Sequence, residues 1–154
     1  MEAIKKHLFL LLILISSAAF GQTTTQPFLS LADAERIAAA AESRARQDNW
    51  TVVIAIMDTG GHLIFLKKID GTQTGSVEVA IAKAKSAAFF KRPTKVFEDL
   101  VNQGKPSILS LPNAVAVEGG LPIYKNGVIV GAIGISGVTS EQDGIIAKAG
   151  VEAY

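Results

Sequence analysis

Apolar residues recur at helical spacing in the first regular segment of the chain. Six of them fall on one helical face: Leu31, Ala34, Ile37, Ala38, Ala41 and Ala45. This spacing predicts a helix from Leu31 to about Gln47. Ser30 and Asp33 have the three-residue spacing of a capping box at its start. Because most of the apolar face is alanine, the helix is suited to close packing on a sheet.

Two runs of apolar and β-branched residues follow, joined by a turn that contains two glycines. Residues 50–57 predict a buried strand, and residues 62–68 predict a second strand that returns beside it. Apolar residues at helical spacing over residues 76–91 predict the second main helix, which ends before Pro93. Thr94 is expected to cap a short helix that comes next.

The last third of the chain predicts three strands and a final helix. The strands are residues 114–118, 122–125 and 128–136. Asn126-Gly127, between the last two strands, is the strongest hairpin signal in the chain. Ser140 and Asp143 repeat the capping-box spacing and open a helix that runs to about Ala153. The whole pattern predicts one α+β domain whose strands are joined by hairpins.

Residues 1–21 contain, in order, the three kinds of segment that make up a secretory signal peptide. Two lysines precede an apolar run over residues 8–15, and small residues lead to an expected cleavage site after Gly21. The apolar run is shorter than the roughly 20 residues that span a bilayer, so we expect no stable membrane insertion after processing. We therefore expect an exported protein, periplasmic or secreted, with a flexible leader at residues 22–29 and a single domain at residues 30–154.

Composition excludes several classes of function. The 154-residue chain has 15 Lys and Arg against 14 Asp and Glu, so it lacks the basic excess that binding to nucleic acid requires. It contains no cysteine, which removes disulfides, thiolate nucleophiles and iron–sulfur clusters. Cleavage after Gly21 would leave His62 as the only histidine, and a zinc site normally takes two or more His or Cys ligands.

Two glycine pairs are candidate ligand-binding turns. Each pair lies between predicted strands and follows an acidic residue: Asp58 with Gly60 and Gly61, and Glu118 with Gly119 and Gly120. Paired glycines adopt backbone conformations closed to other residues and expose N–H groups toward a ligand. On the residues alone, each pair is either a ligand-binding turn or an ordinary hairpin turn.

A third glycine pattern lies in and just after the last predicted strand. Gly131, Gly134 and Gly137 recur at every third position, which is not the spacing of the dinucleotide-binding fingerprint. We expect these glycines to let a helix or a ligand approach the backbone closely.

Several short segments occur together in a characteristic order. They are VIAIMDTGGHL at 53–63, DG at 70–71, AKAKSAAF at 82–89, RPT at 92–94, EGGLPI at 118–123 and GVIVGAIGISG at 127–137. Taken together, they resemble the GlcG/HbpS family of haem-binding or haem-degrading domains, which also occurs as the C-terminal domain of some corrinoid adenosyltransferases. The resemblance covers about residues 31–151.

The resemblance implies a profilin-like fold, with a five-stranded antiparallel sheet flanked by helices, and a homo-oligomer. It also implies that haem, or another small-molecule ligand, binds near residues 58–62 and 118–123. The cofactor-binding residues expected on this basis are His62, Gly60, Gly61, Asp58, Lys68, Glu118, Gly119 and Gly120. Storage, sensing and degradation of haem all remain open.

His62 is the expected iron ligand. Haem needs an axial ligand, and a neutral imidazole is the commonest proximal one. His62 follows the Gly60-Gly61 pair at the start of a strand, where a side chain can be exposed. Met57 and Tyr124 are weaker candidates, and a solvated strand residue is the alternative interpretation of His62.

Two positions depart from the family pattern, and two other functions stay open. The chain has Lys68-Ile69-Asp70-Gly71 where relatives often have Arg-Met-Asp-Gly, and Gly144 where they tend to have an acidic residue. One alternative is an enzyme acting on a small organic acid, with an acid or base group drawn from Asp58, Lys83 or Glu118. The other is a non-catalytic oligomeric ligand-binding module.

Overall fold

The structure is a computed structural model that describes residues 26–154. Its elements in chain order are α1 (Leu31–Gln47), β1 (Val53–Asp58), β2 (Leu63–Lys68), α2 (Ser76–Phe90), α3 (Lys95–Asn102), a 3₁₀ helix (Pro106–Ser110), β3 (Gly120–Lys125), β4 (Val128–Ser136) and α4 (Ser140–Glu152). The predicted signal peptide lies outside the described residues. Within them, no helix is both long and apolar enough to cross a membrane.

The described strands form one antiparallel sheet in the order β2-β1-β4-β3. In the central strand β1, Ile54 lies opposite Ile135 of β4 on one side and Lys67 of β2 on the other. Because all neighbours are antiparallel, the turns at residues 59–62 and 126–127 lie at the same end of the sheet, which we call the turn end. The chain enters β1 and β3 and leaves β2 and β4 at the opposite end, which we call the open end.

Helices cover both faces of the sheet. On one face, α1 and α4 pack against each other and bury the large apolar side chains of the sheet, including Ile54, Ile56 and Ile133. On the other face, α2 packs over a smaller cluster, which consists of Val53, Ala55, Met57, Ala80 and Ala84. The small side chains on this second face allow α2 to lie close to the strands.

Gly134 allows the backbone of α2 to approach strand β4 closely. A methyl group at Gly134 would overlap the carbonyl oxygen of Ala80 and would lie 2.5 Å from the backbone nitrogen of Ala84. A methyl group at Gly137 would likewise meet the backbone, at the carbonyl oxygen of Thr51. The glycine repeat therefore serves close packing, and the expected helix approach is confirmed at Gly134.

The sheet has four strands among the described residues, so the prediction of a fifth strand at residues 114–118 is wrong. Backbone groups of this segment bond to side chains instead of a neighbouring strand. The N–H of Val115 donates to Oγ of Ser86 at 3.1 Å, and the N–H of Glu118 donates to Oε2 of Glu98 at 2.6 Å. An antiparallel sheet flanked by helices is confirmed, without the fifth strand.

The helix caps follow the predictions in one case out of three. The Ser30–Asp33 capping box is present at the start of α1. At α4, Thr139 and Gln142 form the box, because the carboxylate of Asp143 turns inward to Lys83. Thr94 does not cap α3 with its side chain; its Oγ1 accepts the N–H of Gly120 at 3.0 Å.

Candidate functional site

Backbone and side-chain hydrogen bonds together close the turn at residues 58–62. The N–H of Asp58 donates to the carbonyl of His62 at 3.0 Å, and the N–H of Gly61 donates to the carbonyl of Asp58 at 3.1 Å. Oδ1 of Asp58 accepts the N–H groups of Gly60 at 2.8 Å and of His62 at 2.9 Å. The carboxylate of Asp58 therefore organises the whole turn.

His62 extends from this turn with 82% of its side chain exposed. Its Nδ1 lies 3.1 Å from Oδ2 of Asp58. A carboxylate can only accept a hydrogen bond, so this contact is a hydrogen bond when Nδ1 carries the ring proton, and in that tautomer Nε2 keeps its lone pair. Gly60 makes room for the ring, since a methyl group there would lie 2.8 Å from Cε1 of His62. The turn thus presents a free imidazole nitrogen at the surface.

Asp58 stays ionised at neutral pH. Partial burial pushes the pKa of Asp58 upward, but the hydrogen bonds from His62 and Gly60 outweigh burial and hold that pKa below its ordinary value. The acceptor role that orients the imidazole is therefore available at physiological pH.

An aromatic ring and a lysine from α2 lie beside the turn, and neither was among the predicted site residues. Gly61 has φ +77°, and a methyl group there would lie 2.6 Å from the ring of Phe89. Phe89 is 42% exposed, and Nζ of Lys85 lies 5.5 Å from its ring centroid. Leu63, the next residue after His62, is also half exposed. Helical spacing alone gave no reason to place the end of α2 against Gly61.

The second glycine pair lies at the open end of the sheet, away from His62. Gly120 is opposite Gly134 in the register, and Gly119 has φ +124°. A methyl group at Gly119 would lie 2.9 Å from Nζ of Lys83 and 2.8 Å from Cβ of Asp143. This pair lets the backbone pass close to a buried ion pair.

That ion pair joins α2 to α4. Nζ of Lys83 donates to Oδ2 of Asp143 at 2.8 Å and to the carbonyl of Ile135 at 3.0 Å. The two side chains are 1% and 2% exposed. Burial raises the pKa of the Asp143 carboxyl even though the bond from Lys83 opposes it. Lys83 is thus enclosed within the protein, so it does not face a substrate as the small-acid hypothesis requires.

Glu118 lines a cavity of about 490 Å³ at the start of α4, together with Lys95, Glu98, Ser140, Glu141 and Ile145. Burial, followed by the nearby Glu98 and Glu141, raises the pKa of Glu118, although Lys95 at 3.6 Å opposes this. Gly144 faces Glu118, and a methyl group there would overlap Oε1. The glycine at 144 therefore provides the space that the Glu118 carboxylate occupies.

No group of three or more His, Asp or Glu side chains within residues 26–154 is arranged to hold a metal ion. His62 is the only histidine in this part of the chain, with Asp58 as its neighbour.

Comparison with known proteins identifies the family. The model of a family described as "Haem degrading protein HbpS-like" matches residues 29–152. The chain belongs to this HbpS-like family. Protein GlcG of Escherichia coli strain K12 is 39% identical over 112 residues, which are 73% of this chain and 84% of that protein. The proposed resemblance is thereby confirmed.

Solved structures of HbpS-like proteins have the same fold. A double mutant of HbpS from Streptomyces reticuli superposes with a TM-score of 0.77 at 28% identity, covering 88% of this chain and 93% of that chain. A structure described as a PduOC:heme complex superposes with a TM-score of 0.75 at 31% identity, covering 83% of this chain and 96% of that chain.

The predicted site residues of this HbpS-like chain fall into two groups. The first group lies at the turn end and consists of Asp58, Gly60, Gly61 and His62. The second lies at the open end, with Glu118, Gly119 and Gly120 at the edge strand β3 and Lys68 on the opposite edge strand, β2. Lys68 lies six positions after His62, at the far end of β2, which is about 20 Å at the rise of a strand. Within one chain the turn-end residues, with His62 among them, therefore lie apart from the open-end residues, and Lys68 also lies apart from Glu118.

Proposed function

We propose that this HbpS-like protein binds haem at the turn end of the sheet, with Nε2 of His62 as an axial ligand of the iron. The observation that carries the proposal is the exposed His62 ring, whose Nδ1 is held by Asp58 and whose Nε2 is free. Histidines that bind metals almost always donate their other ring N–H to a carboxylate, a backbone carbonyl or water, and Asp58 provides the carboxylate at this turn.

The donor set favours haem over a bare metal ion. A structural or catalytic zinc site takes three or four protein ligands, and the described residues offer no such group around His62. Haem iron needs only one or two protein ligands, because the porphyrin supplies the others. One oriented imidazole can therefore provide the protein ligand that haem iron needs, but it cannot by itself form a binding site for a bare metal ion.

The surroundings of the turn fit a porphyrin. Phe89 and Leu63 provide exposed apolar surface next to the imidazole. Lys85, beside the Phe89 ring, provides a cation on the same side of the turn for a propionate. An exposed ion pair of that kind contributes roughly 0–1 kcal/mol, so affinity would rest on porphyrin burial and the iron–nitrogen bond.

Two titrations test the proposal. Ferric haem and iron-free protoporphyrin are each added to the protein and followed by absorbance. We expect saturable binding of both, with haem bound at least tenfold more tightly because only haem gains the iron–nitrogen bond. Absence of saturable haem binding would refute the proposal. Loss of the haem spectrum with release of iron under reducing conditions would add haem degradation to binding.

We also propose that the protein is exported after cleavage near Gly21. The support is the lysine, apolar and small-residue order of residues 1–21. The intact mass of the protein recovered from the periplasm or medium of an expressing bacterium should correspond to a chain that begins at or near Gln22. A full-length product retained with the membranes would contradict export.

A further inference from the structure

We propose that Asp58 is a positioning residue for the iron ligand: its carboxylate holds His62 in the tautomer whose Nε2 binds iron. This inference rests on the haem-binding proposal and deepens it, because it assigns the residue that makes Nε2 of the imidazole available to bind iron.

The two oxygens of Asp58 have separate tasks. Oδ1 accepts two backbone N–H groups, those of Gly60 and His62. These two donors fix which oxygen faces the backbone and leave Oδ2 to face the imidazole, 3.1 Å from Nδ1. The bond from Nδ1 to Oδ2 stabilises the tautomer protonated at Nδ1, and that tautomer has its lone pair on Nε2.

The same geometry makes Asp58→Asn a selective test. The asparagine oxygen must stay on the two backbone N–H groups, because turning the amide would set its NH₂ against two other donors. The NH₂ group then faces Nδ1 of His62 and can only donate to it. Nδ1 becomes the acceptor and the proton moves to Nε2, which blocks the nitrogen that binds iron. The turn keeps its backbone bonds, so the fold is expected to persist.

The tautomer is measured first, in haem-free protein. The ¹⁵N chemical shifts of the imidazole distinguish a protonated nitrogen from one with a lone pair, and His62→Gln assigns the signals. We expect the wild type to be protonated at Nδ1 and Asp58→Asn to be protonated at Nε2. This readout does not depend on whether haem binds.

The consequences for iron are measured next. Asp58→Asn should weaken ferric-haem binding by about tenfold to a hundredfold, as changes in groups that orient metal-bound histidines typically do. It should also raise the reduction potential of the bound iron, because an imidazole without a carboxylate partner donates less charge to the ferric state. A residue that only supported the fold would leave the tautomer and the potential unchanged.

Asp70→Asn is the matched control. Asp70 is an exposed aspartate in another loop, and its substitution makes the same change of charge. It should leave the tautomer, the affinity and the potential unaltered. If wild type binds haem and Asp58→Asn binds it equally well, or if Asp58→Asn keeps the proton on Nδ1, the role of Asp58 is overturned while haem binding stands. If wild type holds the proton on Nδ1 but binds no haem, the proposed function and the iron role of Asp58 both fail.

Discussion

Two aspartates, Asp58 and Asp143, show how single side chains determine the surface chemistry and the stability of this protein. At the surface, Asp58 accepts hydrogen bonds that hold a turn and orient an imidazole. In the interior, Asp143 forms an ion pair with Lys83 that joins two helices. The spacing of Ser140 and Asp143 predicted a capping box, but Asp143 pairs with Lys83 instead. Spacing along a helix carries no information about a lysine 60 positions away. Thr139 was therefore missed as the cap.

Lys83→Met tests the buried pair. It leaves Asp143 as an uncompensated buried group, so we expect unfolding in denaturant to show a loss of about 3–5 kcal/mol. The double variant Lys83→Met/Asp143→Leu should recover part of that loss, because both polar groups are then gone. Lys148→Met, which removes an exposed pair with Glu152, is the control and should change little. Equal stability of Lys83→Met and wild type would contradict a structural role.

At the scale of elements, periodicity predicted the helices and the hairpins well. The helix from Leu31 to Gln47 is found as predicted, and Asn126 and Gly127 both have positive φ in the last hairpin. Residues 114–118 have apolar residues typical of a strand, but their N–H groups bond to Ser86 and Glu98. Local pattern cannot reveal that a distant side chain replaces a strand as the partner.

Gly134→Ala tests the close packing of α2 on the sheet. The added methyl group would overlap the backbone of α2, so we expect a loss of stability of about 1–3 kcal/mol. Gly75→Ala is the matched control, because nothing lies within 4 Å of the added methyl group and its φ is −60°. It should leave stability unchanged or raise it slightly. Thermal unfolding that ranks the two variants in the opposite order would contradict this account of the interface.

At the scale of the molecule, the turn end and the open end are separate places. The sequence identified the residues of both but could not tell that they are apart, because an antiparallel register decides which turns share an end. The sequence did not place Phe89 and Lys85 beside the turn at residues 58–62 for a related reason: they reach Gly61 only through the packing of α2 across the sheet.

The edge strand β2 leads us to predict self-association. Its first four residues, 63–66, are all apolar and only partly covered, and an exposed apolar edge strand is a template for pairing with another chain. Light scattering at micromolar concentration should give a mass of at least two chains at low and at high salt. A monomer under all of these conditions would contradict the prediction.

The central claim is that His62 binds haem iron, and a ferric-haem titration of His62→Ala against wild type tests it most directly. His62 is largely exposed, so circular dichroism should show an unchanged fold. Tyr124→Phe, which removes the hydroxyl of another candidate ligand, should keep the wild-type spectrum. We predict that His62→Ala shifts the Soret maximum and weakens binding at least about tenfold, or about 1.4 kcal/mol. An unchanged Soret maximum and affinity in His62→Ala would contradict the claim.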